Sequence, residues 1–143
     1  MNQSNSNKVA FIWGATGQIG SYLCEHLLQL GYGKVVGIAR RTSTNTLERL
    51  SNVVTNDRFV LAKSDITDSF SIHKTLTTHF TDKDAVYEIY NLAAQSFVHA
   101  SFDQPKLTMD VTGTGHLNLL EVVLGLHNSG YNVRTYFMSS SEQ

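Results

Sequence analysis

The sequence is short of the residues that mark secreted, metal-binding or membrane proteins. Its single cysteine, Cys24, cannot form an internal disulfide, and no cysteine/histidine cluster has the spacing of a zinc site. No apolar run approaches the roughly 20 residues that a bilayer-crossing helix needs. The polar start, MNQSNSNK, has no apolar core of a secretory signal. These absences predict a cytoplasmic protein with no metal and no membrane partner.

Charge is also scarce, since charged residues make up 16% of the chain and the formal net charge is -1. No basic field is present to attract nucleic acid, so a nucleic-acid partner is not expected. The hydrophobic share of 41% is that of an ordinary globular protein, and 143 residues suit one buried core. We predict a polar tail over residues 1–7 and one domain over residues 8–143.

Short apolar runs alternate along the chain with segments of helical periodicity. The runs predict strands over residues 9–13, 35–39, 59–62, 86–93 and 133–138. A helix follows the first run and ends at Gly31. Residues 42–56 suit a loop with a short helix. This alternation is typical of an α/β protein with a doubly wound parallel sheet, the Rossmann fold.

Two further helices are predicted, each with a face for the core. The first has Thr67 as its N-cap, and its apolar positions are Phe70, Ile72, Leu76 and Phe80. The second is a long helix over residues 105–127 that begins at the only proline, Pro105. Its predicted apolar face is Leu107, Val111, Leu117, Leu120 and Leu124.

The first strand runs into a G-x-x-G-x-x-G pattern formed by Gly14, Gly17 and Gly20. In a dinucleotide-binding loop the first glycine allows the tight turn, the second lets the backbone approach a pyrophosphate, and the third lets helix pack on strand. The free amides at the helix N-terminus then face the phosphates. A glycine-rich turn without a ligand is the alternative, but the strand before the loop and the helix after it favour a dinucleotide site.

The tip of the second strand predicts which dinucleotide is bound. Arg40 and Arg41 stand there, about 20 residues beyond the last glycine, and no carboxylate does. Arginine accommodates the 2′-phosphate of NADP, whereas an acidic residue would bind the 2′-hydroxyl of NAD. NADP is therefore expected, with two solvated arginines as the alternative. Asp65 is a candidate for the adenine amino group or for a helix cap, with the Ile66 backbone beside the ring.

Several segments together resemble the GDP-mannose 4,6-dehydratases, a family of extended short-chain dehydrogenases/reductases. They are GATGQIGSYL from Gly14, RRTS from Arg40, SDITD from Ser64, NLAAQSFV from Asn91, SFDQP from Ser101 and SSSE from Ser139. The resemblance runs in order along nearly the whole chain. Trp13 departs from it because a small residue usually precedes the first glycine, and the indole either repacks the strand end or crowds the cofactor.

The resemblance implies an NADP-dependent enzyme that converts GDP-mannose into GDP-4-dehydro-6-deoxymannose and that forms homo-oligomers when full length. Glu142 would be the base that removes the C5 proton, and Ser140 would bind the C4 oxygen. Gln95 and Ser96 would lie near the substrate or the nicotinamide. The expected cofactor contacts are Gly14, Thr16, Gly17, Gln18, Ile19, Gly20, Arg40, Arg41, Asp65, Ile66, Leu92, Ala93, Ala94 and Ser96.

One part of the superfamily's chemistry is absent from the sequence. None of the six tyrosines is followed four residues later by a lysine, so the Tyr/Lys pair that takes the hydroxyl proton while the cofactor takes the hydride is missing. The expectation is an N-terminal cofactor domain without the C-terminal substrate region, inactive alone, as a fragment or a truncated form. Another NADP-dependent nucleotide-sugar epimerase or reductase, and a non-catalytic NADP-binding module, are the alternatives.

Overall fold

Five parallel strands form the centre of the computed structural model, which describes residues 5–40, 47–93 and 102–138. The strands are β1 (Lys8–Trp13), β2 (Lys34–Ala39), β3 (Phe59–Lys63), β4 (Val86–Asn91) and β5 (Asn132–Phe137). Their order in the sheet is β3-β2-β1-β4-β5. The chain winds from β1 outward through β2 to β3 and then crosses back to β4, as in a Rossmann fold. The predicted fold class is confirmed.

Helices cover both faces of this sheet. They are α1 (Gln18–Gln29), α2 (Ser69–His79), α3 (Pro105–Met109) and α4 (Gly115–Asn128), with a 3₁₀ turn at Leu47–Leu50 and a π-helical turn at Asp110–Thr114 between α3 and α4. In the described part of the chain, no helix is long and apolar enough to cross a membrane. Helix α1 ends before Gly31, whose φ of 85° suits glycine, as predicted.

Strand β1 divides its side chains between two cores. Phe11 and Trp13 point to the face that carries α2 and α4, while Ala10 and Ile12 point to the α1 face. All four are at most 2% exposed. Burial on both faces explains why the strand appears in the sequence as an uninterrupted apolar run.

A buried carboxylate accounts for the polar start of β4. Glu88 is 3% exposed, and it accepts hydrogen bonds from the Tyr32 hydroxyl at 2.5 Å and the Tyr90 hydroxyl at 2.9 Å. The Lys8 ammonium lies 3.7 Å away. Burial and the neighbouring Glu88 raise the pKa of Tyr32 to about 12. The partners are what make this burial of a carboxylate tolerable.

The start of α2 differs from the prediction. Asp68, not Thr67, is the N-cap, and its Oδ1 accepts from the Phe70 amide at 3.0 Å. Thr67 instead directs its amide and its hydroxyl to Asp65 Oδ1, to which both donate. Phe70 is 75% exposed, so it does not belong to the core, whereas the other three predicted positions are buried.

The long helix predicted over residues 105–127 is interrupted and packs through a different face. The buried positions follow four-residue steps through Val111, Gly115, Leu119 and Val123, and then Leu126. Of the predicted face only Val111 is buried, and Leu107, Leu117, Leu120 and Leu124 are exposed. Gly115 explains the choice, because a Cβ there would lie 2.9 Å from Ile66 Cγ2. Glycine at this position lets α4 approach Ile66, in the turn after β3, this closely.

Candidate functional site

The glycine loop lies where the chain reverses its direction of winding. Gly14, with φ of 85°, and Ala15 both donate their amides to the Ile38 carbonyl of β2, at 3.2 and 3.3 Å. On the other side, a Cβ on Gly14 would lie 3.0 Å from the Leu92 carbonyl carbon after β4. The loop therefore sits between the carboxyl ends of β2 and β4, which is the crevice where open α/β sheets bind ligands.

The three loop glycines are required for different reasons. A Cβ on Gly20 would lie 2.1 Å from the Gly14 carbonyl oxygen, so the packing of α1 on the loop requires glycine there. Gly14 needs its positive φ. Gly17 has an ordinary φ of -73° and is exposed, and its Cβ would meet only the Gly14 oxygen at 3.3 Å. Neither backbone conformation nor packing within the protein requires a glycine at position 17. The absence of a side chain there fits a position that a ligand approaches.

The N-terminus of α1 opens onto the same space. Gly17 is its N-cap, no side chain caps the helix, and no acidic residue lies in the first turn. The first-turn amides of an α-helix have no intrahelical acceptor. These amides and the positive end of the helix dipole form a site suited to phosphate. Gln18 and Ile19 lie in this turn and are exposed, and Thr16 is half-buried.

The structure brings two arginines to this edge of the sheet. Arg40 follows β2 and is exposed, as expected for a residue that meets a ligand or solvent. Arg49, which the sequence analysis missed, projects from the 3₁₀ turn and donates from Nη1 to the Thr16 carbonyl at 3.1 Å. No spacing rule links positions 16 and 49, so only the fold reveals this contact.

The turn after β3 is built by its own side chains. Asp65 Oδ1 accepts from the amide and the hydroxyl of Thr67, at 2.9 and 2.7 Å. The Ile66 side chain is buried, and its carbonyl accepts from Asn118 at 3.3 Å. Asp65 therefore shapes the turn after β3, at the same carboxyl edge of the sheet as the glycine loop, while its predicted contact with adenine stays a prediction.

A cluster of polar and aromatic side chains lies at the carboxyl end of β4. Asn91 is 1% exposed, its Oδ1 accepts from the Ala93 amide at 3.1 Å, and its Nδ2 lies 2.9 Å from His116 Nδ1. The imidazole stacks on Phe137, with 4.1 Å between ring centroids. Burial lowers the pKa of His116 below its ordinary value. The Asn91–Ala93 bond ends β4 at Asn91, two residues before the predicted end.

Trp13 repacks the strand end. Its indole is 2% exposed and belongs to the core on the α2/α4 face, and its Nε1 has no hydrogen-bond partner among the described residues. As the chain's only tryptophan, one residue before the glycine loop, it can report on ligand binding by its fluorescence.

Known proteins resemble this chain over nearly its whole length. Residues 11–143 match the family model described as GDP-mannose 4,6 dehydratase. The chain belongs to the GDP-mannose 4,6-dehydratase family. It is 42% identical to the human GDP-mannose 4,6 dehydratase and 41% identical to GDP-mannose 4,6 dehydratase 1 of Arabidopsis thaliana, each over 94% of its own length. It spans only 36% and 38% of those relatives.

Solved structures show the same fold at lower identity. Pal from Bacillus thuringiensis has a TM-score of 0.76 and 24% identity, with 92% of this chain and 39% of that chain covered. A UDP-glucose 4-epimerase has a TM-score of 0.73 and 21% identity, with 93% and 36% covered. Both structures therefore share the fold described above.

The expected site residues divide into two groups in this family member. The structure gathers the loop glycines, Arg40, the Asp65 turn and the Leu92–Ala93 exit at the carboxyl edge of the sheet. The remaining predictions lie outside the described residues, and they are Arg41, Ala94, Gln95, Ser96, Ser140 and Glu142.

Proposed function

We propose that this chain is the cofactor-binding part of an enzyme that converts GDP-mannose into GDP-4-dehydro-6-deoxymannose and water. The family match over residues 11–143 carries the proposal. The chain spans about a third of the length of the matched relatives, so the complete reaction belongs to a longer polypeptide. Its share of the reaction is to hold the cofactor and to supply side chains next to the sugar.

The described residues fit a nicotinamide dinucleotide. The space beside Gly17 and the uncapped N-terminus of α1 suit a pyrophosphate. Arg40 at the end of β2 suits the 2′-phosphate of NADP, because guanidinium forms charge-assisted bonds with phosphate. Arg49 adds a second positive charge next to the loop. We therefore propose NADP as the cofactor, which supplies the means of oxidising C4 and later reducing C6.

The role of the chain's own catalytic groups follows from the chemistry of a 4-ketone. The ketone acidifies the C5 proton, so a positioned carboxylate can remove it while the C6 hydroxyl leaves as water. We assign Glu142 as that base and Ser140 as the hydroxyl that donates to the C4 oxygen, both from the resemblance of the Ser139 to Glu142 segment. Gln95 and Ser96 are assigned to the substrate and nicotinamide region.

The cofactor assignment predicts a selective effect at Arg40. Arg40→Ala should weaken NADP+ binding by about 1.5–3 kcal/mol, the contribution of a lost charge-assisted hydrogen bond, and leave NAD+ binding nearly unchanged. Calorimetric titration of the chain with each dinucleotide measures both. Arg134→Ala, which removes another exposed arginine from β5, is the matched control and should alter neither affinity. Equal losses for NADP+ and NAD+ would contradict the assignment of NADP.

The catalytic assignment can be tested by joining this chain to the remaining two-thirds of its human relative. The hybrid should convert GDP-mannose to the 4-keto product, and chromatography of the nucleotide sugars measures this conversion. Glu142→Gln should lower the turnover by about 100-fold or more, because a positioned base contributes that much. A folded, NADP+-binding hybrid without dehydration would favour a non-catalytic module, and an epimerised or reduced sugar would favour the other enzyme classes.

A further inference from the structure

Three side chains form a row across the carboxyl end of the sheet. Trp13, Asn91 and Phe137 are register partners on β1, β4 and β5, so their side chains project to the same face. His116, in the first turn of α4, contacts two of them: it pairs with the Asn91 amide and stacks on the Phe137 ring. Trp13, at one end of the row, immediately precedes the glycine loop.

The hydrogen bonds determine the protonation of His116. The Ala93 amide can only donate, so the Asn91 atom that receives it must be the carbonyl oxygen Oδ1. The atom facing His116 is then the Asn91 amide nitrogen, which donates. His116 Nδ1 must therefore be an acceptor, and the imidazole is neutral with its proton on Nε2. A second proton would place two donors against each other at 2.9 Å.

This pair acts on the wall of the cofactor site. Asn91 holds the Ala93 amide, and the Leu92–Ala93 peptide lies against Gly14 so closely that a Cβ on Gly14 would be 3.0 Å from the Leu92 carbonyl. If the Asn91 amide rotated to satisfy a protonated imidazole, the Ala93 amide would lose its acceptor. The peptide that borders Gly14 would then be free to shift.

We propose that His116 is a positioning residue for the dinucleotide site, which it controls through Asn91 and the Leu92–Ala93 peptide. The inference rests on the proposed cofactor function and adds to it a dependence of cofactor affinity on the protonation of one histidine. Neutral His116 keeps the wall in place, and protonated His116 releases it.

The proposed pH dependence is assigned to the ionisation of His116 itself and not to that of a neighbouring group. Among the described residues, the side chains that contact it are Asn91 from β4 and Phe137 from β5, and neither carries a charge. On its own helical segment, Asp110 is paired with Lys106 at 2.8 Å, and Glu121 is exposed. Burial lowers the pKa of the imidazole, so the neutral form that the geometry requires is present at neutral pH and is lost on acidification.

The first test needs no cofactor and compares two substitutions. His116→Asn keeps an acceptor oxygen in the place of Nδ1 but does not titrate, whereas His116→Leu keeps the bulk and removes the acceptor. Amide hydrogen exchange at Ala93, followed by NMR, should be roughly tenfold faster in His116→Leu and near the original rate in His116→Asn. The amide of Ile12, in the centre of β1, is the internal control. An unchanged Ala93 rate in a folded His116→Leu protein would overturn the inference.

The second test measures NADP+ affinity from pH 7.5 to 5.0 by Trp13 fluorescence and calorimetry. The original chain should lose affinity as the pH falls through the lowered pKa of His116, and His116→Asn should lack this component. Titration of the 2′-phosphate affects both proteins equally. Identical pH profiles would overturn the inference. If neither dinucleotide bound at any pH, the proposed function would fail, and the Ala93 exchange rates would still decide the role of His116.

Discussion

Gly20→Ala is expected to be among the most destabilising single substitutions in the described part of the chain. The added methyl would lie 2.1 Å from the Gly14 carbonyl oxygen and 2.9 Å from Ala15 Cα, and both neighbours are backbone atoms. Helix α1 would have to move away from the loop, which costs about 3 kcal/mol of unfolding free energy, the upper part of the range for overpacking. Urea denaturation followed by circular dichroism measures the loss.

Gly125→Ala is the matched control for this prediction. Gly125 also lies in a helix, but a Cβ there meets no atom within 4 Å. Alanine should therefore stabilise α4 by up to about 1 kcal/mol through its higher helix propensity. Opposite signs for the two substitutions would assign the effect at Gly20 to packing. Similar small effects at both positions would show that the loop and α1 are not in the contact described here.

In contrast to Gly20→Ala, Gly17→Val should abolish dinucleotide binding and leave the fold intact. The position has an ordinary φ and one backbone neighbour at 3.3 Å, so a side chain is accommodated by the protein. The same side chain would fill the space that the pyrophosphate needs next to the α1 amides. We expect NADP+ affinity to fall by roughly 100-fold or more, equivalent to about 2.7 kcal/mol. Calorimetric titration and Trp13 fluorescence measure it.

The converse substitution separates binding from stability. Gly31→Ala places a side chain at a φ of 85°, where nothing lies within 4 Å, at the other end of the same helix. It should cost about 1 kcal/mol of stability through backbone strain and leave NADP+ affinity unchanged. Normal affinity in a folded Gly17→Val protein would show that the glycine loop is not the pyrophosphate site.

Much of this architecture was predictable because its causes are local. Apolar runs identified all five strands, and they are clearest in β1 and β2, where burial on both faces requires apolar side chains at nearly every position. The G-x-x-G-x-x-G spacing located the loop because the glycines at positions 14 and 20 are required by backbone geometry. Arg40 was predicted for the same reason, since it simply follows the second strand.

The errors arose where neighbouring side chains competed for one role. Thr67 and Asp68 can both cap a helix, and Asp65 decided between them by engaging Thr67. In the long helix, leucines occur on more than one side, so periodicity permitted two apolar faces. The face that packs was selected by Gly115, which alone allows the helix to approach Ile66.

Residue type and spacing were sufficient to predict the α/β class, the order of strands and helices along the chain, the dinucleotide loop and the family resemblance. These depend on short-range patterns that are visible in one dimension. Tertiary structure decided which face of α4 is buried, that Arg49 reaches the loop, and that His116 and Asn91 meet at the end of β4. Each of these contacts joins residues at least 25 positions apart in the sequence or depends on such a contact. These residues meet only because the order of the strands and the packing of the helices on the sheet bring them together.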